Sequence, residues 1–268
     1  MGNRNRPVAI TAAAGIASGG LVLGFGLLGV PVSSGFGGAL SANATLLSPA
    51  SAAFSIWSLI YLGLSGFVGW LWFGDHFDRP RIETVNVPAA WSLILNGLWL
   101  VVVQFGGDSL AALWLSVAVI VALEVSLAVT MIGLAGVAAA DPVELVVVDG
   151  TFGLYFGWTT VAVAANIAAA ARASGLRPAQ FSAELVASAA VLVLALVGVI
   201  FARNLGGRFS IAAAMGWGLG WIAAGRITAE PASIVVGTVA GLATLLVLSA
   251  PVMARIRAAR LRVSQAQD

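Results

Sequence analysis

Apolar residues fill this chain in long blocks separated by short polar connections. The blocks lie at residues 8–30, 51–73, 88–105, 110–132, 145–170, 183–201, 209–227 and 232–253. A helix needs about 20 residues to cross the hydrocarbon core of a bilayer, and backbone groups in lipid must be satisfied within the segment itself. The pattern predicts an all-α membrane protein, a polytopic bundle of about eight transmembrane helices. The third block is short, and Gly106-Gly107-Asp108-Ser109 behind it predicts a tight hairpin with the fourth. Only one connection is long, the uncharged stretch 31–50. No segment reads as a separate soluble domain.

The first block has two readings. Arg4 and Arg6 ahead of an apolar run resemble a signal peptide. The run is long for that role, however, and no small-x-small cleavage site closes it. Its Gly15/Gly19 and Gly20/Gly24 pairs suit close helix packing, so a retained helix is the expectation.

Composition narrows the chemistry. Of 268 residues 60% are hydrophobic and 9% charged, against roughly 25% charged in soluble domains. Cys is absent, all 13 basic residues are Arg, and His76 is the single histidine. Thiolate chemistry, iron–sulfur clusters, lysine Schiff bases and P-loop lysines are thereby excluded. A two-histidine metal site or bis-His haem cannot be built within one chain either. The net charge of +2 comes from scattered arginines, which describe membrane orientation and not a nucleic-acid partner.

With eight spans both termini share a side. That side carries ten arginines (Arg4, Arg6, Arg79, Arg81, Arg203, Arg208, Arg255, Arg257, Arg260 and Arg262); the other has three, Arg172, Arg177 and Arg226. The positive-inside rule places both termini in the cytoplasm of a multi-pass protein of the cell (inner or plasma) membrane, with stretch 31–50 outside.

Three blocks combine aromatic and amide side chains at helical spacing. Phe54, Trp57 and Tyr61 share one face of the second block, Asn96 and Trp99 lie a turn apart in the third, and Tyr155, Trp158, Ala162 and Asn166 form a stripe in the fifth. An amide in hydrocarbon needs a partner, so Asn96 must face protein, water or ligand. Trp70, Trp72, Trp91 and Trp114 read instead as interfacial anchors.

These stripes carry a family resemblance. Pro49 and the run Phe54-Ser55-Ile56-Trp57-Ser58-Leu59-Ile60-Tyr61 resemble the second-helix motif of the TspO/MBR family, the tryptophan-rich sensory or translocator proteins. Leu95-Asn96-x-x-Trp99 is similar to that family's third-helix motif, and Tyr155-x-x-Trp158-x-x-x-Ala162-x-x-x-Asn166 to its fifth. The resemblance divides the chain into a TspO/MBR-like five-helix region, residues 1–171, and three further helices with a basic cytoplasmic tail, residues 172–268, as in a longer bacterial branch. One feature is missing: residues 151–155 lack the proline usual early in the fifth-helix motif.

The resemblance implies a ligand cavity between the second, third and fifth helices, covered by stretch 31–50. Trp57, Asn96, Trp99, Trp158, Ala162 and Asn166 would line it, with Tyr61 and Tyr155 on the same stripes. The implied partners are a hydrophobic small molecule, tetrapyrrole- or sterol-like, and membrane lipid; a homodimer is compatible with it. No cofactor is required, although a porphyrin or other tetrapyrrole could be bound. Trp217, beyond the five-helix region, is expected to be indifferent to binding.

Two acids, Glu124 and Asp149, stand in apolar surroundings and are candidate proton or polar sites. Asp149, near the start of the fifth block, reads as a structural carboxylate at a helix N-terminus. Glu124 lies deeper, either protonated or paired with an amide such as Asn96, which falls at similar depth. His76, in the charged segment 75–83, reads as solvated. The functional ranking is a binding or sensor protein first, a secondary transporter using Glu124 for proton coupling second, and an enzyme last, since no catalytic constellation is present.

Overall fold

A computed structural model describes residues 31–74 and 76–265. The first apolar block and its glycine pairs lie outside the described residues. The other seven blocks all form long helices: α1 (Ile56–Phe73), α2 (Pro80–Phe105), α3 (Leu110–Gly136), α4 (Pro142–Ala173), α5 (Gln180–Asn204), α6 (Phe209–Thr228) and α7 (Ile234–Gln265). A 3-10 turn at Ser51–Ser55 leads into α1. No strand occurs among the described residues.

Six of these helices, all but α6, are long and apolar enough to cross a membrane. Glycines, two tryptophans and Arg226 dilute the apolar content of α6. The protein is a multi-pass, all-helical membrane protein.

Local chemistry sets the boundaries. Pro80 opens α2 eight residues ahead of the apolar block, because proline pre-sets the first helical φ and has no N–H to leave unsatisfied. The helix therefore takes in Arg81 and Glu83, which the hydropathy pattern left in a loop. Ser109 caps α3, its hydroxyl accepting from the Ala112 N–H. Asp141 caps α4 by accepting from the Glu144 N–H at 2.8 Å, with Pro142 in the first turn. Between Glu144 and Thr151, α4 is π-helical over Leu145–Gly150.

Helix α4 is the hub. It packs against α1, α3 and α6, while α2 pairs with α3, and α7 pairs with both α6 and α5. The sequence neighbours α4 and α5 scarcely touch. Small residues bring α4 and α6 together. A Cβ on Gly157 would lie 2.3 Å from the Ile211 carbonyl oxygen, and one on Gly153 would overlap Ser210. Without a hydrophobic drive between helices in lipid, such close approach is how they associate.

The bundle has two ends. Stretch 31–50 folds over one, the loop face, burying Phe36, Thr45, Leu47 and Ser48. The ends of α1, α3 and α5 and the starts of α2, α4 and α6 form the other, the arginine face. Trp72, Trp91 and Trp114 are exposed on the outside of the bundle; Trp72 and Trp114 stand near helix ends, whereas Trp91 lies midway along α2, which starts eight residues earlier than its apolar block. Trp70 differs. It stacks on His76 with centroids 4.1 Å apart, and Arg79 lies 5.0 Å over its ring. The lone histidine is thus packed rather than merely solvated, with Nδ1 2.9 Å from the Trp70 carbonyl oxygen.

Candidate functional site

A cavity of about 40 Å³ lies at the loop-face end of α1, α2, α3 and α4. Trp57, Trp99, Trp158, Ala162 and Asn166 line it, together with Phe54 and Ile120. Leu40, Ser48 and Pro49 of the covering stretch also contribute to its wall. The aromatic rings meet edge-on: Trp57 and Trp158 at 6.2 Å, Phe54 and Trp158 at 5.9 Å.

Tyr61, Asn96 and Tyr155 do not line the cavity; they form a hydrogen-bonded group beside Trp57. The Tyr61 hydroxyl donates to Asn96 Oδ1 at 3.1 Å, and Asn96 Nδ2 donates to the Tyr155 hydroxyl at 2.7 Å. Tyr155 in turn donates to the Ser92 carbonyl at 3.3 Å. Trp57 stacks on Tyr61 at 5.4 Å and meets Tyr155 edge-on at 5.9 Å. The amide that had to find a partner in hydrocarbon finds two tyrosines.

Three buried polar atoms around the cavity have no protein partner: the indole nitrogens of Trp99 and Trp158, and Asn166 Oδ1. The Asn166 amide nitrogen donates back to the Ala162 carbonyl at 2.9 Å, leaving its oxygen over. Buried polar groups are almost always hydrogen-bonded, so three orphans on residues lining one cavity, Trp99 from α2 and Trp158 and Asn166 from α4, single out this part of the molecule. Chemically they offer two donors and one acceptor within an aromatic enclosure.

A family model described as TSPO-like protein matches residues 30–251. The chain belongs to the TSPO-like protein family. No curated protein and no solved structure matches it. The family match runs past residue 171 and takes in α5, α6 and much of α7.

In this TSPO-like chain α6 takes part in shaping the cavity. The Arg226 guanidinium is buried and reaches three carbonyls, Thr45 at 3.1 Å, Ala42 at 3.0 Å and Pro231 at 2.9 Å. The Ala50 N–H donates to the Trp221 carbonyl, and Trp217 Nε1 donates to the Ala53 carbonyl at 2.9 Å. Arg226, Trp217 and Trp221 therefore fasten the segment that crosses the cavity and enters α1. Trp217 does not line the cavity but is tied to Ala53, the residue before Phe54 of the cavity wall. Arg226 counted in the sequence only as a topology charge.

Glu124 does not pair with Asn96. Matching depth along two helices fixes height but not direction, and the two side chains have different partners. Glu124 accepts from the Thr159 hydroxyl at 2.5 Å and the Thr160 hydroxyl at 2.6 Å, both on α4. It makes no ion pair among the described residues. Glu124 stands one helical turn from Ile120 of the cavity wall.

Asp149 lies far from the cavity, in a buried ion network at the arginine face. Arg81 Nη2 reaches both of its oxygens at 2.8 Å, and Arg208 binds its Oδ1 at 2.8 Å. Arg81 also meets Glu144 at 3.0 Å, and Arg79 joins Glu144 at 2.6 Å to Asp141 at 2.8 Å. Arg81 and Arg208 both donate to the Leu134 carbonyl at the end of α3. Asp149 sits in the π-helical turn just ahead of the motif that lacks its proline, and Ser210 donates to its carbonyl at 3.0 Å. The network ties α2, α3, α4 and α6 together. Asp149 lies about two turns inside α4 and is held by Arg81 and Arg208, not by a helix N-terminus as its place in the sequence suggested, because α4 begins at Pro142, ahead of the apolar block. The Asp141 carboxyl is held below the usual aspartate range by the Glu144 backbone N–H and then by the Arg79 side chain.

Proposed function

We propose that the protein binds a hydrophobic small molecule of tetrapyrrole or sterol type beneath stretch 31–50, between α1, α2 and α4, and acts as a binding or sensor protein. The observation that carries this reading is the set of three unpartnered polar atoms on Trp99, Trp158 and Asn166, residues that all line one aromatic cavity. A mostly apolar pocket with a few convergent polar groups is how small-molecule sites are built. Flat rings suit the tryptophan walls, since offset and edge contacts add about 0.5–1.5 kcal/mol each beyond burial. The ligand would present an acceptor to the indole N–H groups and a hydroxyl or N–H to Asn166. A tetrapyrrole carries both, and so does a sterol hydroxyl.

The space of about 40 Å³ is small beside the roughly 300–1,000 Å³ of typical ligand pockets. Binding then requires stretch 31–50 to move outward, and Arg226 is its main tether. The experiment is an equilibrium titration of the purified protein with protoporphyrin and with a sterol probe, read by tryptophan quenching.

A second reading, proton-coupled transport, draws on Glu124, a carboxyl held by two hydroxyls with no cation among the described residues. Glu124→Gln abolishing uptake into vesicles while sparing binding would bring that reading forward.

A further inference from the structure

At the arginine face a groove of about 450 Å³ opens between α5 and α7. Its floor is apolar, with Val199 from α5 and Leu246 and Met253 from α7. Its upper rim carries three guanidiniums, Arg203 from the last turn of α5 and Arg257 and Arg260 from α7. Helix α7 has 32 residues, about 48 Å at 1.5 Å per residue, whereas a bilayer core is about 30 Å thick. The helix therefore runs on past the hydrocarbon, and Arg257 and Arg260 stand where its surroundings change from acyl chain to headgroup.

These arginines are uncommitted in a way their neighbours are not. None of the three forms an ion pair among the described residues, whereas Arg79, Arg81 and Arg208 of the same face pair with Asp141, Glu144 and Asp149. Arg255, close by on α7, is occupied by the Gly207 carbonyl at 3.1 Å and by the Phe209 ring at 4.4 Å. What remains is a charge cluster with no counter-ion among the described residues, drawn from two helices and set over an apolar slot at membrane depth. A soluble anion would use the rim and leave the floor bare. An anion carrying acyl chains uses both.

We propose that this groove is a binding site for an anionic phospholipid, its phosphate held by Arg203, Arg257 and Arg260 and an acyl chain lying along Val199, Leu246 and Met253. Guanidinium forks match phosphate oxygens in geometry and charge, and basic pockets between membrane helices are suited to anionic headgroups. The site is at the opposite end of the bundle from the tryptophan cavity and does not depend on what that cavity binds.

The test is native mass spectrometry of the delipidated full-length protein in detergent, titrated with phosphatidylglycerol or with phosphatidylcholine of the same chains. The expected result is one phosphatidylglycerol held at least about tenfold more tightly than phosphatidylcholine. Replacing all three arginines by glutamine should weaken phosphatidylglycerol roughly a hundredfold, from the attraction each basic residue exerts on anionic lipid. Ala254→Phe, which fills the groove and leaves every arginine in place, should also abolish the tight site. Equal affinity for the two lipids, or full phosphatidylglycerol binding by the triple variant, would overturn the proposal. So would an intact tight site in Ala254→Phe, since that would mean charge adsorption without a groove. Should the triple variant not fold, the comparison of lipids and the Ala254→Phe protein decide the matter.

Discussion

Asn96 on α2 donates its side-chain amide to the hydroxyl of Tyr155 on α4 at 2.7 Å, both residues being buried. The pair joins two helices beside the tryptophan cavity, with Tyr61 of α1 completing the group on the other side of the amide. A buried amide that loses its partner bears the desolvation cost of about 1–3 kcal/mol. Tyr155→Phe should therefore lower stability by about that amount while preserving the fold. Tyr61→Phe should cost less, because it removes one hydrogen bond whereas Tyr155→Phe removes two, those to Asn96 and to the Ser92 carbonyl. Thermal unfolding in detergent checks the order, and equal losses would mean that the amide is not shared in this way.

The ion network at the arginine face gives a second expectation. Asp149→Asn keeps the shape of the side chain and removes the charge that Arg81 and Arg208 share. Arg208 loses its carboxylate and Arg81 keeps only Glu144; breaking a buried pair costs about 3–5 kcal/mol, so this variant should be among the least stable single substitutions in the chain. A denaturation midpoint within error of the parent protein would show that the network is not needed.

How much of this was legible in the sequence follows from what each signal measures. Hydropathy locates helices because lipid demands unbroken apolar runs, and all seven blocks within the described residues became helices. It cannot see where a helix extends into charged sequence, so Arg81 and Glu144 were left in connections although both are buried in the network. Helical periodicity placed Trp57, Trp99, Trp158, Ala162 and Asn166 on stripes that converge on one cavity. Periodicity gives height and face within one helix, not the rotation of one helix against another, so it could not show Asn96 meeting Tyr155 or Glu124 meeting Thr159. Arg226 was illegible for a different reason. Its partners are backbone carbonyls of Ala42 and Thr45, which exist at every residue and leave no mark in the sequence.

That tether supplies a third prediction. Arg226→Gln should release stretch 31–50, seen as faster hydrogen–deuterium exchange of its amides than in the parent protein. Arg226→Lys should not restore the parent rate, because one ammonium cannot span three carbonyls as a planar fork does. Unchanged exchange in both variants would mean that Trp217, Trp221 and the packing of Phe36 hold the stretch alone.

Orientation is testable separately. The arginine face carries Arg79, Arg81, Arg203, Arg208, Arg255, Arg257 and Arg260, and the loop face Arg172, Arg177 and Arg226. The positive-inside rule then predicts a cytoplasmic arginine face. A reporter fused after Asp268 should give a cytoplasmic signal and one inserted in stretch 31–50 an external signal; reversal of the two would overturn the orientation.

The central claim is that the tryptophan cavity holds a ligand, and one titration tests it most directly. Protoporphyrin is added to the purified parent protein and to Ala162→Trp, which fills the cavity from α4 while leaving Trp57, Trp99 and Trp158 in place. The account predicts saturable, one-to-one quenching of tryptophan emission with a red-shifted porphyrin band in the parent protein. It predicts at least about a tenfold loss of affinity, some 1.4 kcal/mol, in Ala162→Trp. Identical titrations for the two proteins would contradict the account, because a ligand indifferent to a filled cavity is dissolved in detergent or bound elsewhere.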